Sequence, residues 1–268
     1  MNERHYDTIR YSQTGAVATV TLHRPERYHA FDQVMCSELA SVWAKVRRDD
    51  SVSVVVLTAS GDQAFCTGID RDFVPAEGGV DYDFTPYTYD DPGKLLGPRA
   101  NEVWKPVIGA VNGMACGGAF YLLGECDFLI AAEHATFFDP HVTYAMPAVF
   151  EPMLMLRRMP FGEVMRMTLT GNHERLSAVR AYEIGLVSQV VPGDELAATA
   201  ATVAAEIASQ PLGALMATVR TLWAAREVPP TVAASLGNTF LQLGMSEASL
   251  DEGAKIFSSG ARIEPRIR

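Results

Sequence analysis

Two adjacent glycines, Gly117 and Gly118, sit in the stretch Asn112-Gly113-Met114-Ala115-Cys116-Gly117-Gly118-Ala119-Phe120-Tyr121. The run before it, Lys105-Pro106-Val107-Ile108-Gly109-Ala110-Val111, reads as a short buried strand, and Ala119 to Gly124 as a buried helix. The glycines then fall at a helix N-terminus, where main-chain N–H groups lack partners and the helix dipole is positive. Without a Cβ, Gly118 lets a ligand atom approach its N–H closely, which is half of an oxyanion hole. A second half is offered upstream. Ser53 to Thr58 reads as another buried strand, and the loop after it ends in Phe65-Cys66-Thr67-Gly68-Ile69-Asp70. If the N–H of Ile69 and that of Gly118 converge, they supply two donors to one oxygen, as a developing enolate requires. Each segment alone reads equally as an ordinary strand-to-helix turn.

Taken together, the two segments resemble the signatures of the crotonase, or enoyl-CoA hydratase/isomerase, superfamily. Ala64 to Asp70 reads AFCTGID and Asn112 to Gly118 reads NGMACGG, with Cys126-Asp127 following at the family's usual distance. His23-Arg24-Pro25, His29-Ala30-Phe31, Leu169-Thr170-Gly171 and the AYEIGLV of Ala181 to Val187 extend the likeness over most of residues 7–195. The resemblance implies an α/β fold with a repeated ββα spiral core and a C-terminal helical region, assembled as a homotrimer or a dimer of trimers. It also implies an acyl-CoA thioester as substrate and no separate cofactor, CoA being part of that substrate. The thioester oxygen would lie on Ile69 and Gly118, with Ile69, Asp70, Arg71 and Asp72 lining the substrate and the backbone near Ala30 facing CoA. Ala119 stands where the family has a third glycine, which the hole tolerates because it follows the donor.

The proton-transfer positions depart from the family. Hydratases carry one glutamate three residues after the oxyanion glycine and a second twenty residues further on; here these are Tyr121 and His141. Hydration of a 2-enoyl thioester needs one group to activate water and another to deliver a proton to the α carbon. A phenol titrating near ~10 is a poor base, so standard hydratase chemistry is not expected. An imidazole, titrating near ~6.5, acts as acid or base without large tuning. His141 therefore reads either as the acid/base group or as a hydrogen-bonded pocket residue, and Pro140 leaves open whether Asp139 faces the same way. Some relatives take an acid eight residues beyond the second glutamate position, which is Val149 here. Glu151, two residues on, would need a rebuilt loop to reach the site and reads more simply as a surface helix cap. The expected function is a thioester-enolate enzyme of the hydratase/isomerase type; the alternatives are an atypical isomerase, hydrolase or lyase using His141, or an acyl-CoA-binding protein without turnover.

These groups need a scaffold, and strands alternate with helices along the chain. Residues 6–12 and 16–23 suggest a hairpin, residues 33–48 an amphipathic helix, and residues 53–58 the next strand. Residues 74–94, rich in Gly, Pro, Asp and Tyr, suggest a mobile loop over the site, with Tyr82, Phe84, Tyr87 and Tyr89 available to an acyl group or to loop packing. From Glu195 the chain reads as four helices, 195–209, 212–226, 231–245 and 248–258, so that 1–194 is expected as the core and 195–268 as a helical region for assembly and site closure. With 22 Lys+Arg against 32 Asp+Glu, the formal charge of -10 argues against nucleic acid. No apolar run is long enough to span a membrane, and no targeting segment is evident in Met1 to Tyr11, so a cytoplasmic protein is expected. Cys36, Cys66, Cys116 and Cys126 lack C-x-x-C spacing and the six His lack H-x-x-H, so no metal site is expected and the thiols read as reduced packing residues.

Overall fold

The chain opens with a hairpin in which β1 (Ile9–Thr14) and β2 (Val17–Leu22) pair antiparallel across the turn at Gly15. The computed structural model describes residues 6–72, 91–260 and 262–267. Helix α1 (Gln33–Arg48) follows, begun by the Asp32 carboxylate, which accepts the Met35 N–H at 2.9 Å and satisfies one of the open donors of the first turn. Its buried face, Met35, Cys36, Leu39, Val42, Trp43 and Val46, recurs at the three- and four-residue spacing that puts side chains on one helical stripe. At its other end the fully buried Lys105 ammonium donates to the Val46 carbonyl at 2.8 Å, capping the helix where the dipole is negative.

The next strands come in pairs that feed two sheets in turn. β3 (Val54–Ala59) is followed by β4 (Ala64–Cys66) and the short α2 (Gly93–Leu96), β5 (Val107–Val111) by β6 (Met114–Cys116) and α3 (Ala119–Leu123), and β7 (Phe128–Ala132) by β8 (Thr136–Phe138) and α4 (Phe150–Met155). This is the ββα repeat expected from the resemblance. After α5 (Phe161–Thr170) come β9 (Leu176–Ser177), α6 (Ala178–Glu183), β10 (Gln189–Val191) and α7 (Leu196–Ala208). The six-stranded sheet runs β1-β2-β3-β5-β7-β10 and the four-stranded sheet β4-β6-β8-β9. β3, β5 and β7 are mutually parallel, as are β4, β6 and β8, so each set ends on one edge of its sheet.

A parallel strand covered on both faces must be apolar at every position, and β3 shows why the sequence does not alternate. Val55 and Leu57 pack with α1 into the core between the sheets, while Val54 and Val56 join Ile108, Ala110 and Ile130 under Leu196, Ala200 and Ala204 of α7. Small alanines let that helix lie close on the sheet. The chain divides into two units, Met1–Ser209 and Gln210–Arg268. An expected boundary at 194/195 falls ahead of α7, whose packing on the sheet places it with the first unit. The second unit holds α8 (Leu212–Ala225), α9 (Pro230–Gly244) and α10 (Glu247–Ser258), within two residues of the predicted limits. Of the loop expected over 74–94, residues 74–90 and their four aromatic side chains lie outside the described residues; 91–94 include the start of α2.

Candidate active site

The parallel strands of the four-stranded sheet deliver the candidate groups from their C-terminal ends: Gly68 and Ile69 follow β4, Gly117 and Gly118 follow β6, and Asp139 to His141 follow β8. All of them except the buried Asp139 line one cavity of about 1250 Å³ in the first unit. Gly68 has φ +85° and Gly117 φ +53°, left-handed conformations that favour glycine. The Gly68 and Gly118 segments touch: a Cβ on Gly68 would lie 2.9 Å from the Gly118 nitrogen, and one on Gly118 would lie 2.5 Å from the Phe31 ring and 3.2 Å from the Gly68 Cα.

An isolated parallel bridge holds Ile69 against Phe31, with Phe31 N–H donating to the Gly68 carbonyl at 2.8 Å and Asp70 N–H to the Phe31 carbonyl at 2.9 Å. The alternation of a bridge turns the Ile69 N–H the other way. Neither it nor the Gly118 N–H donates to any group among the described residues. Arg24 ties this arrangement together. Its guanidinium donates to the Ala30 carbonyl at 2.5 Å and pairs with Asp70 at 2.9 Å and Asp32 at 3.1 Å. Sequence reading gave Arg24 no such task; its partners lie on two separate segments, residues 30–32 and Asp70. Ala30 lines the cavity and is nearly buried, whereas the Asp70 carboxylate is engaged by Arg24 and Asp72 is an exposed partner of Arg27 at 3.0 Å. Arg71 donates to the Tyr144 hydroxyl at 2.9 Å.

The alternative left open at Asp139 is resolved by Pro140, whose φ of -87° and ψ of -8° bend the chain into a 3-10 turn. The bend lets one Asp139 carboxylate oxygen accept both the His141 N–H at 3.0 Å and the ring Nδ1 at 2.6 Å. Asp139 is fully buried, and its other oxygen has no hydrogen-bond partner among the described residues. The Asp139 hydrogen bond stabilises the imidazolium and holds His141 above the usual imidazole range, against the opposing effect of burial. It also fixes the neutral tautomer, with the proton on Nδ1 and the lone pair of Nε2 turned toward the cavity.

Glu151 is a correction. Expected as a surface cap, it is 6 % exposed in the first turn of α4, and its carboxylate oxygen lies 3.6 Å from His141 Nε2, too long for a hydrogen bond. Burial raises its affinity for a proton. The bulky segment Met146 to Val149 rebuilds the approach to α4 in a way that no local pattern announces. Val149 itself is the residue before that helix and is partly exposed.

Tyr121 lines the cavity from α3, but its hydroxyl donates to Asp91 at 2.8 Å, and burial pushes the phenol further up. The side chain is thus a hydrogen-bond donor here and not a base. Asp91, also missed by sequence reading, is nearly buried and its carboxyl is raised by desolvation. Tyr121→Phe strips that carboxyl of a donor, and we expect a loss of about 1–2 kcal/mol in urea unfolding; an unchanged midpoint and slope would show that Asp91 finds water instead. Burial also pushes the Cys66 and Cys116 thiols up to about 12, which removes any thiolate from the site.

A fold of alternating ββα units in two sheets is shared with known proteins. The family model described as enoyl-CoA hydratase/isomerase matches residues 12–262. The (E)-benzylidenesuccinyl-CoA hydratase of Thauera aromatica is 36% identical over 214 residues, covering 80% of this chain and 81% of that one. The 1,2-epoxyphenylacetyl-CoA isomerase of Escherichia coli is 36% identical over 200 residues, covering 73% and 74%. A crystal structure of an enoyl-CoA hydratase/isomerase from Mycobacterium paratuberculosis superposes with a TM-score of 0.85 at 35% identity, over 95% of this chain and 96% of that one. The chain belongs to the enoyl-CoA hydratase/isomerase family. No helix among its described residues is long and apolar enough to cross a membrane.

Proposed function

We propose that this protein binds an acyl-CoA thioester with the thioester oxygen on the N–H groups of Ile69 and Gly118, and that His141 moves a proton at the carbon chain. The observation that carries this reading is the presence in one cavity of two unpaired amides and an imidazole whose Nδ1 is held by a buried carboxylate. His141 Nε2 takes a proton from the α carbon of a 3-enoyl thioester. The C–H electron pair becomes the enolate double bond, and the negative charge goes to the oxygen between the two N–H groups, where fixed donors stabilise it. Return of the proton to the γ carbon moves the double bond into conjugation. Ala30, Asp70, Arg71 and Asp72 bound the cavity around the thioester and CoA, and Tyr121 with Asp91 forms part of its wall without transferring a proton. Both relatives named above carry, in their names, CoA thioesters with phenyl-derived acyl groups, and Phe31 and Tyr144 in this cavity suit a flat apolar group.

Glu151 favours a second reading. A buried carboxyl beside His141 gives the site two proton carriers after all, so that hydration of a 2-enoyl thioester would proceed with His141 and Glu151 in place of the two glutamates. Incubation of butyryl-CoA in deuterated water separates the readings from a protein that only binds: enolate formation exchanges the α protons, read by mass spectrometry. We expect exchange, isomerisation of 3-enoyl-CoA, and slow or no hydration of crotonyl-CoA. Tight binding without exchange would rule out turnover, and rapid crotonyl-CoA hydration would make the second reading the correct one.

A further inference from the structure

The antiparallel register of β8 and β9 fixes the place of Arg175. Thr136 faces Ser177 and Phe137 faces Leu176, so the next step of the ladder sets Arg175 across from Phe138. Its guanidinium carbon does lie over the Phe138 ring, 4.6 Å from the centroid, and both residues line the cavity. Arg27, at the same cavity, is paired with Asp72 at 3.0 Å. Arg175 has no carboxylate partner and no hydrogen bond among the described residues. Arg71 likewise has no carboxylate partner there; it donates to the Tyr144 hydroxyl, which the Asn172 side-chain amide also approaches at 3.4 Å. In a chain with a formal charge of -10, Arg175 is thus a cavity-lining guanidinium that no acid among the described residues neutralises.

Its distance from the thioester position follows from the sheet. Gly118 follows β6, and Arg175 precedes β9, two strands further along the order β4-β6-β8-β9. At a strand spacing of about 4.8 Å the separation is roughly 10 Å. An acyl chain of about five carbons, at ~1.5 Å per bond, covers that distance together with the arginine's own reach.

We propose that the Arg175 end of the cavity is a carboxylate subsite, and that the substrate class is a CoA thioester of a short dicarboxylic acid. A guanidinium matches a carboxylate with two parallel hydrogen bonds, and stacking on Phe138 holds its plane fixed for that purpose. The inference rests on the reading that places the thioester oxygen at Ile69 and Gly118.

Calorimetry of the whole protein with glutaryl-CoA and with pentanoyl-CoA, which differ at the far end of the chain, tests it. Arg175 is exposed, so we expect wild type to prefer glutaryl-CoA by about threefold to fivefold, the size of a charge pair open to solvent. Arg175→Met should bring the ratio of the two dissociation constants close to one, and Arg175→Lys should keep part of the preference, with thermal melting confirming that both variants fold. No preference in wild type, or a ratio unchanged by Arg175→Met, overturns the subsite; equal weakening of both ligands would place Arg175 on a CoA phosphate and overturns it as well. If wild type binds neither thioester, the thioester reading itself fails and takes the subsite with it.

Discussion

Gly118→Pro should lower the rate of α-proton exchange by about 10²–10³-fold, the loss associated with removing one oxyanion donor. Proline suits the backbone there, since Gly118 has φ -57° and stands at the start of α3, where a missing N–H breaks no helical bond. Two other things change: the donor disappears, and a Cβ enters the space 2.5 Å from the Phe31 ring. Gly118→Ala separates them, because it keeps the N–H and introduces the same crowding. Phe31 must shift in both variants, and circular dichroism shows whether the fold survives that shift. We expect Ala to lose far less than Pro. Equal losses would assign the effect to Phe31 and take the Gly118 amide out of the chemistry.

His141→Gln should cost about 10²–10⁴-fold in the same exchange, the usual contribution of a positioned acid or base, with little change in thioester affinity. The pH profile carries a separate test. A base works in its neutral form, and the Asp139 hydrogen bond holds His141 above 6.5. Exchange should therefore rise with pH through a midpoint above 6.5 and level off beyond it. Asp139→Asn removes the negative charge that favours the imidazolium, so the midpoint should move down. A rate that falls over that range would make the imidazolium the working form and His141 an acid; a midpoint unmoved by Asp139→Asn would assign the profile to another group, Glu151 first among them.

The scaffold and the amide pair were legible because each is a local pattern. The amphipathic pattern read over residues 33–48 coincides with α1, and the glycines at 68 and 117, singled out in the sequence, take left-handed conformations. The proton-carrying side of the site is a set of long-range meetings. Asp91 meets Tyr121 across 30 residues and comes from a stretch rich in Gly, Pro and Asp. Glu151 depends on how the chain travels from His141 to α4, through the bulky segment Met146 to Val149. Asp139 and His141 are a different case. Two residues apart, they were visible as a pair, and only the backbone angles of Pro140 decide that they touch.

The oxygen-binding half of this cavity is made of peptide N–H groups, and a peptide N–H has no codon of its own. Substitution at Ile69 changes a side chain that is already half exposed and leaves the donor in place. What mutation can reach is the set of side chains presented at the ends of separate strands, each replaceable without moving the others. A gene encoding such a site inherits the means to hold an enolate nearly intact while the groups that decide the enolate's fate drift one at a time. Tyr121 and His141, presented after separate strands of one sheet, are side chains of that replaceable kind.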